Sequence, residues 1–261
     1  MPFGAVFNLA SLNGANGFRL DGAAAGDQAG WNVASAGDVN GDGFADFIVG
    51  ANLADPNGVS SDGSSYVVFG GASGLPPNFS LAALNGLNGF RIDGAAASDN
   101  SGYSVASAGD VNGDGFADLI VGAIGADPGG LSAAGSGYVV FGKASGWTPT
   151  LALSSLNGTN GFRLDGAAAN DNSGFSVASA GDVIGDGIAD MFIGARLADP
   201  GGRNDAGSSY VVFGKPSGWA ATLALSSLNG TNGFRIDGAA GGDSSGISVA
   251  SAGDVNGEGF A

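Results

Sequence analysis

Ser104-Val-Ala-Ser-Ala-Gly-Asp110-Val-Asn-Gly-Asp114-Gly-Phe-Ala-Asp118-Leu-Ile-Val-Gly-Ala123 decides the fold. Two strand-type runs flank a glycine-rich turn that carries an oxygen side chain at nearly every second position. The Ala-Gly-Asp-Val of this stretch recurs at Asp38, Asp110, Asp182 and Asp254, a constant spacing of 72 residues. Gly-Phe-Arg-(Leu/Ile)-Asp-Gly keeps the same period at Phe18, Phe90, Phe162 and Phe234, and Tyr-Val-Val-Phe-Gly does so at Tyr66, Tyr138 and Tyr210. A fixed period of this length marks a repeat architecture.

Each copy holds four short strand candidates between glycine-rich turns: in the first, Asn32 to Ala36, Asp46 to Ala51, Ser65 to Phe69 and Phe90 to Asp93, designated a, b, c and d. With 52 glycines in 261 residues, helices are disfavoured throughout. Four antiparallel strands per repeat with no intervening helix predict an all-β fold, a β-propeller of four-stranded blades. A parallel β-helix is the competing solenoid, but its coils are much shorter. The copies divide the chain into a partial module 1–30, full modules 31–102, 103–174 and 175–246, and a partial module 247–261. One propeller domain is expected. The break in mid-motif reads as a fragment of a longer repeat protein, or as a chain that completes a ring with other copies. In an up-and-down blade the a–b and c–d turns share one face of the disc, and the b–c and d–a turns share the other.

The chain has no histidine and no cysteine, which removes Ser-His-Asp and Cys-His nucleophiles, thiolate or imidazole metal sites and disulfides. Its 24 acidic residues against 8 basic ones give a net charge of -16, which repels nucleic acid and anionic membranes. No apolar run is long enough to insert into a membrane. Glu258 is the single glutamate, so the acids are almost all short, stiff aspartates set among glycines.

Those aspartates define the metal expectation. In the a–b turns, Asp38, Asn40, Asp42 and Asp46, and again Asp110, Asn112, Asp114 and Asp118, occupy positions 1, 3, 5 and 9, while Phe44 and Phe116 offer backbone carbonyls at position 7. Glycine at position 6 permits a sharp turn, and hard oxygen ligands in this number suit Ca²⁺ better than Mg²⁺. An EF-hand is excluded because Val49 and Val121 stand where its twelfth-position Glu belongs. Asn-Gly and Asp-Gly also make plain hairpin turns, but two residues suffice for those. The third loop keeps Asp182, Asp186, the Ile188 carbonyl and Asp190, with Ile184 at position 3. The fourth has Asp254, Asn256 and Glu258 and stops before position 9.

Ser104 to Ala123, followed by Gly-Tyr-Val-Val-Phe-Gly at Gly137 to Gly142, resembles the FG-GAP repeat of integrin α-subunit propellers and their bacterial relatives, over about three and a half copies. The resemblance implies blades of a seven-membered ring, calcium in the a–b loops, and extracellular adhesion or ligand binding through loops of the opposite face. The name-giving Gly-Ala-Pro becomes Gly122-Ala123 followed by Ala126-Asp127-Pro128. The uniform copies are similar to long secreted bacterial repeat proteins.

The function expected is therefore a calcium-binding, non-catalytic adhesion or ligand-binding module, secreted or on a bacterial cell surface, with an extracellular protein or glycan as partner. A carbohydrate-binding propeller, or the non-catalytic part of a larger secreted hydrolase, is the alternative. Partner contacts are expected in the variable b–c loops 57–62, 129–134 and 201–206. Arg19, Arg91, Arg163 and Arg235, each two residues before an aspartate, are read as ion pairs between neighbouring blades. Trp31, Tyr103 and Phe175 are read as blade packing, and Trp147 and Trp219 as candidate sugar-stacking surfaces.

Overall fold

β-Branched and aromatic runs form the strands, buried on both faces in strands b and c, and glycine-rich segments between them form the turns. The computed structural model describes residues 6–261. A short strand, β1 (Arg19–Asp21), precedes the first full copy, which gives β2 (Asn32–Gly37), β3 (Asp46–Ala51), β4 (Ser64–Val68), β5 (Asn78–Ser80) and β6 (Gly89–Asp93). The second copy gives β7 (Ser101–Gly109), β8 (Asp118–Ala123), β9 (Ser136–Val140), β10 (Thr150–Ala152) and β11 (Gly161–Asp165). The third gives β12 (Ser173–Gly181), β13 (Asp190–Ala195), β14 (Ser208–Val212), β15 (Thr222–Ala224) and β16 (Gly233–Asp237). Helix among the described residues is confined to three-residue 3₁₀ turns.

The four strands read from each copy pair antiparallel in the order a-b-c-d, as β2-β3-β4-β6, β7-β8-β9-β11 and β12-β13-β14-β16. The first two sheets differ from expectation by a fifth strand. β10 adds parallel to β6, and β15 parallel to β11, so each outer edge is covered by a segment of the next copy. β1 and β5 form the same parallel pair as a separate two-stranded sheet. Covering an edge in this way removes unpaired backbone donors and acceptors that would otherwise face solvent.

The strands a of successive blades, β2, β7 and β12, lie side by side. Glycine makes this close approach possible: a Cβ on Gly122 would collide with the Gly174 carbonyl of the next blade, and Gly50 and Gly194 stand in the same relation to Gly102 and Gly246. The core fills the space between sheets. Ile48, Val67 and Phe90 of the first blade pack in one cluster with Leu119, Val121 and Tyr138 of the second. Ile120, Val139 and Phe162 of the second blade do the same with Met191, Ile193 and Tyr210 of the third. Sheet faces stacked this way form the blades of a propeller, here three in an open arc whose sheets do not close into a ring. The a-type segment 247–252 is not in a strand; no b strand lies beside it among the described residues.

Candidate metal loops and the opposite face

The a–b loops wind their first three polar side chains together. Asp38 accepts hydrogen bonds from the backbone N–H of Asp42 (3.1 Å) and Gly43 (2.9 Å), Asn40 accepts from the Asp42 N–H (3.0 Å), and Asp42 accepts from the Phe44 N–H (2.9 Å). The Asn40 amide also donates to Asp42 Oδ2 at 3.1 Å. The second loop repeats every one of these bonds through Asp110, Asn112, Asp114 and Phe116. Left-handed glycines allow the winding, with φ of 71° at both Gly41 and Gly113.

Position 9 is placed differently. Asp118 is fully buried, and its two carboxylate oxygens accept from the backbone N–H groups of Gly142 (2.8 Å) and Val111 (2.9 Å). Asp46 bonds Gly70 and Val39 in the same way, and Asp190 bonds Gly214 and Val183. Each of these aspartates thus ties the start of strand b to its own loop and to the end of strand c. Burial pushes the Asp118 carboxyl up to about 7; its backbone donors oppose the rise, while like charges on Asp114 and Asp110 add to it. Burial likewise raises Asp46 and Asp190.

The loops also join the blades. The Asp38 carbonyl accepts from the Ala117 N–H and the Val39 carbonyl from the Lys143 N–H, both in the next blade; Asp110 and Val111 do the same with Ala189 and Lys215. Phe116, at position 7 of the second loop, packs its ring on Gly41 of the first, and Ile188 lies against Gly113. The third loop keeps the Asp182 and Asp186 bonds to backbone N–H groups, with Ile184 exposed at position 3. In the fourth, Asp254 accepts from the N–H groups of Gly257, Glu258 and Gly259, and these donors hold its carboxyl below the usual range, Gly259 foremost.

Among the described residues no three acidic side chains stand together as a metal cluster. The donor set nonetheless fits calcium in kind. It is all oxygen, it is anionic, and each carboxylate has about four acceptor sites, of which the backbone N–H groups take only some. Asp38, Asn40 and Asp42 converge, whereas Asp46 is engaged on the strand side of the turn.

The other recurring residues resolve into structural roles. Arg19, Arg91, Arg163 and Arg235 pair with Asp21, Asp93, Asp165 and Asp237 of their own strands, not with a neighbouring blade, because residues two apart on a strand share a face. The Trp147 and Trp219 indoles stack on Phe90 and Phe162 at centroid separations of 4.2 and 4.0 Å, with Lys143 and Lys215 over the rings at 4.7 Å. Both faces are taken, which removes them as sugar-stacking surfaces. Trp31, Tyr103 and Phe175 form a ladder along the inner strands, with centroids 5.6 and 5.0 Å apart.

On the opposite face, the b–c and d–a loops hold each other through backbone bonds such as Asn100 N–H to Ser61 O and Ser101 N–H to Asp62 O. On this face sequence reading placed Asp62 only as the end of a variable b–c loop and passed over Asp99 and Asp171. Burial raises each to about 6, helped by like charge from Asp93 on Asp62, from Asp62 on Asp99 and from Asp199 on Asp171. The available signal for Asp99 and Asp171 was the recurrence of Asp27, Asp99, Asp171 and Asp243 in the common period; Asp62 has no counterpart, Ala134 and Ala206 standing in its place.

Comparison with known proteins agrees with this architecture. Residues 29–68 and 101–140 match the FG-GAP repeat. Phosphatidylinositol-glycan-specific phospholipase D of Rattus norvegicus is 32% identical over 190 residues, covering 72% of this chain and 20% of that protein. Integrin alpha-PS2 of Drosophila melanogaster is 29% identical over 191 residues (72% of this chain, 13% of that protein), and integrin alpha-V of Gallus gallus 31% over 178 residues (65% and 15%). The chain thus spans about a fifth or less of the length of these relatives, all of them animal proteins. No helix among the described residues is long and apolar enough to cross a membrane. The chain therefore carries FG-GAP repeats, folded as blades of an integrin-α-like β-propeller.

Proposed function

We propose that the chain is a calcium-stabilised scaffold of an extracellular ligand-binding module and takes no part in covalent chemistry. The observation that carries this reading is the repeated winding of Asp38, Asn40 and Asp42, and of Asp110, Asn112 and Asp114, into one exposed turn each. Three oxygen-bearing side chains are held together there with two carboxylates and no basic partner. Asp38, Asn40, Asp42 and the Phe44 carbonyl would hold the first ion, and Asp110, Asn112, Asp114 and the Phe116 carbonyl the second, with Asp46 and Asp118 adding only the lone pairs that their backbone donors leave free. A bound cation supplies charge neutralisation at a loop that already bridges two blades. The third loop, with Ile184, offers one ligand fewer, and the fourth lacks position 9.

Sites of this type in extracellular modules have affinities on the order of 10⁻⁴–10⁻³ M, which suits secretion or display outside the cytoplasm. The named integrin relatives support an extracellular setting and a protein or glycan partner met by the b–c loops. Isothermal titration of the metal-free protein with CaCl₂ tests the reading: two equivalent sites lost stepwise in Asp42→Ala and Asp114→Ala support it, and the absence of heat up to ten millimolar (~10 × the weak end of that range) rejects it. A second reading is favoured by the phospholipase relatives, namely that the chain is the non-catalytic part of a larger secreted hydrolase. The absence of histidine agrees with hydrolysis being carried elsewhere in such a protein.

A further inference from the structure

The dipeptide Asn-Gly occurs twelve times in the chain. The backbone nitrogen that follows an asparagine can attack the side-chain amide carbon, and glycine, with no side chain, leaves that approach open. The fold treats the twelve unequally. In four of them, Asn16, Asn88, Asn160 and Asn232, the amide is fastened at both ends to preceding residues: Asn88 accepts from the Asn85 N–H (3.0 Å) and donates to the Ala83 carbonyl (3.2 Å), and the other three repeat this pair of bonds. The amide carbon is thereby held away from the nitrogen that follows. In six others that nitrogen is itself engaged. The glycine N–H after Asn13, Asn85, Asn157 and Asn229 donates to the carbonyl three residues further on, the one after Asn57 donates to the Asp55 carbonyl, and the one after Asn256 donates to Asp254 Oδ1.

Two remain, Asn40-Gly41 and Asn112-Gly113, at position 3 of the first and second a–b loops. Gly41 and Gly113 are exposed, and neither N–H has an acceptor among the described residues. Their asparagine amides are turned forward along the chain. Asn40 accepts from the Asp42 N–H and donates to the Asp42 carboxylate, and Asn112 does the same with Asp114. Asn85 is turned forward as well, accepting from the N–H groups of Leu87 (2.9 Å) and Asn88 (3.3 Å). The state of the glycine nitrogen therefore separates the two kinds: bonded to the Gly89 carbonyl at 2.8 Å after Asn85, and free after Asn40 and Asn112.

We propose that Asn40 and Asn112 are self-modification sites, at which the folded chain deamidates by ring closure onto Gly41 and Gly113. The glycine nitrogen forms a bond to the asparagine Cγ, the Cγ–Nδ2 bond breaks, and the proton from the glycine nitrogen leaves with the amide nitrogen as ammonia. Water then opens the succinimide at either carbonyl, giving aspartate or isoaspartate. Both products replace a neutral donor with a carboxylate, between Asp38 and Asp42 in one loop and between Asp110 and Asp114 in the other. Isoaspartate also carries the main chain through its side-chain carbon, which lengthens the loop. Each event makes the net charge more negative by one. The reaction needs no metal in the loops, so the proposal stands apart from the calcium reading.

Incubation of the whole chain at mildly alkaline pH, in excess chelator and in water labelled with heavy oxygen, tests the assignment. Peptide mapping by mass spectrometry then follows conversion at each asparagine, the label marking every new carboxylate. The nitrogen after Asn85, Asn157 and Asn229 must first give up a hydrogen bond, so Asn40 and Asn112 should convert about 2–10-fold faster than these three. In concentrated urea the difference should vanish, because glycine follows all five. Asn40→Gln with Asn112→Gln should remove the fast phase of ammonia release from the folded chain. No conversion at Asn40 and Asn112, rates equal to those of the three bonded sites in the folded chain, or a preference that survives in urea, overturns the proposal.

Discussion

Gly41 and Phe116 show how single residues fit one blade to the next. Gly41 has a left-handed φ of 71° and the Phe116 ring rests where its Cβ would be; Gly113 has the same φ, but its nearest neighbour, Ile188, lies at an ordinary 3.7 Å. Gly41→Ala should therefore cost about 1–3 kcal/mol and Gly113→Ala only about 1 kcal/mol, compared by urea denaturation. Equal losses would mean that the ring contact carries no strain. Trp219 belongs to the same scale. With Phe162 on one face and Lys215 on the other, Trp219→Ala should lower stability by about 2 kcal/mol by truncating a half-buried stack. The sequence showed these tryptophans as aromatic and periodic, but not that their faces were occupied, because the stacking partners, Phe90 and Phe162, come from another segment.

At the scale of elements, the four antiparallel strands were legible as β-branched runs between glycines, and the nine-residue loops as alternating oxygens. The parallel strand Thr150–Ala152 was not legible. It has three residues and only half-buried or exposed positions, and it exists as a strand because β6 presents an edge to it. The engagement of Asp46 was hidden for a similar reason: one of its donors, Gly70, lies 24 residues away. The loops give a graded prediction. Ile184→Asn restores position 3 of the third loop and should add a calcium-dependent rise in melting temperature, whereas Asp42→Ala and Asp114→Ala should each remove part of the rise seen in the parent. The opposite face gives another. Burial raises Asp62, Asp99 and Asp171 to about 6, so between the ordinary carboxylate range and about 6 the folded chain binds more protons than the unfolded one. Stability must then fall as pH rises through that interval. Thermal melts of the metal-free protein should move to lower temperature between pH 5 and pH 7 (~ the span around those values). Asp62→Asn, Asp99→Asn and Asp171→Asn together should make the trend shallower, leaving the part that comes from Asp118, which burial raises to about 7, and an unchanged slope in the triple variant would assign the whole trend to Asp118 and the other position-9 aspartates.

For the whole molecule, a net charge of -16 on an arc of three blades frames the role proposed for a cation. The a–b loops sit where consecutive blades are joined by backbone hydrogen bonds, so a cation that neutralised their carboxylates would stabilise an interface as well as a turn. A ligand present at about 100 times its dissociation constant stabilises by ~2.7 kcal/mol per independent site, enough to shift melting by several degrees in a domain of this size. Differential scanning calorimetry of the parent chain in excess calcium and in excess chelator tests this most directly. The account predicts a higher melting temperature with calcium, reduced by Asp42→Ala and reduced further when Asp114→Ala is added. Identical melting temperatures in calcium and in chelator would contradict it, leaving the aspartate loops as turns.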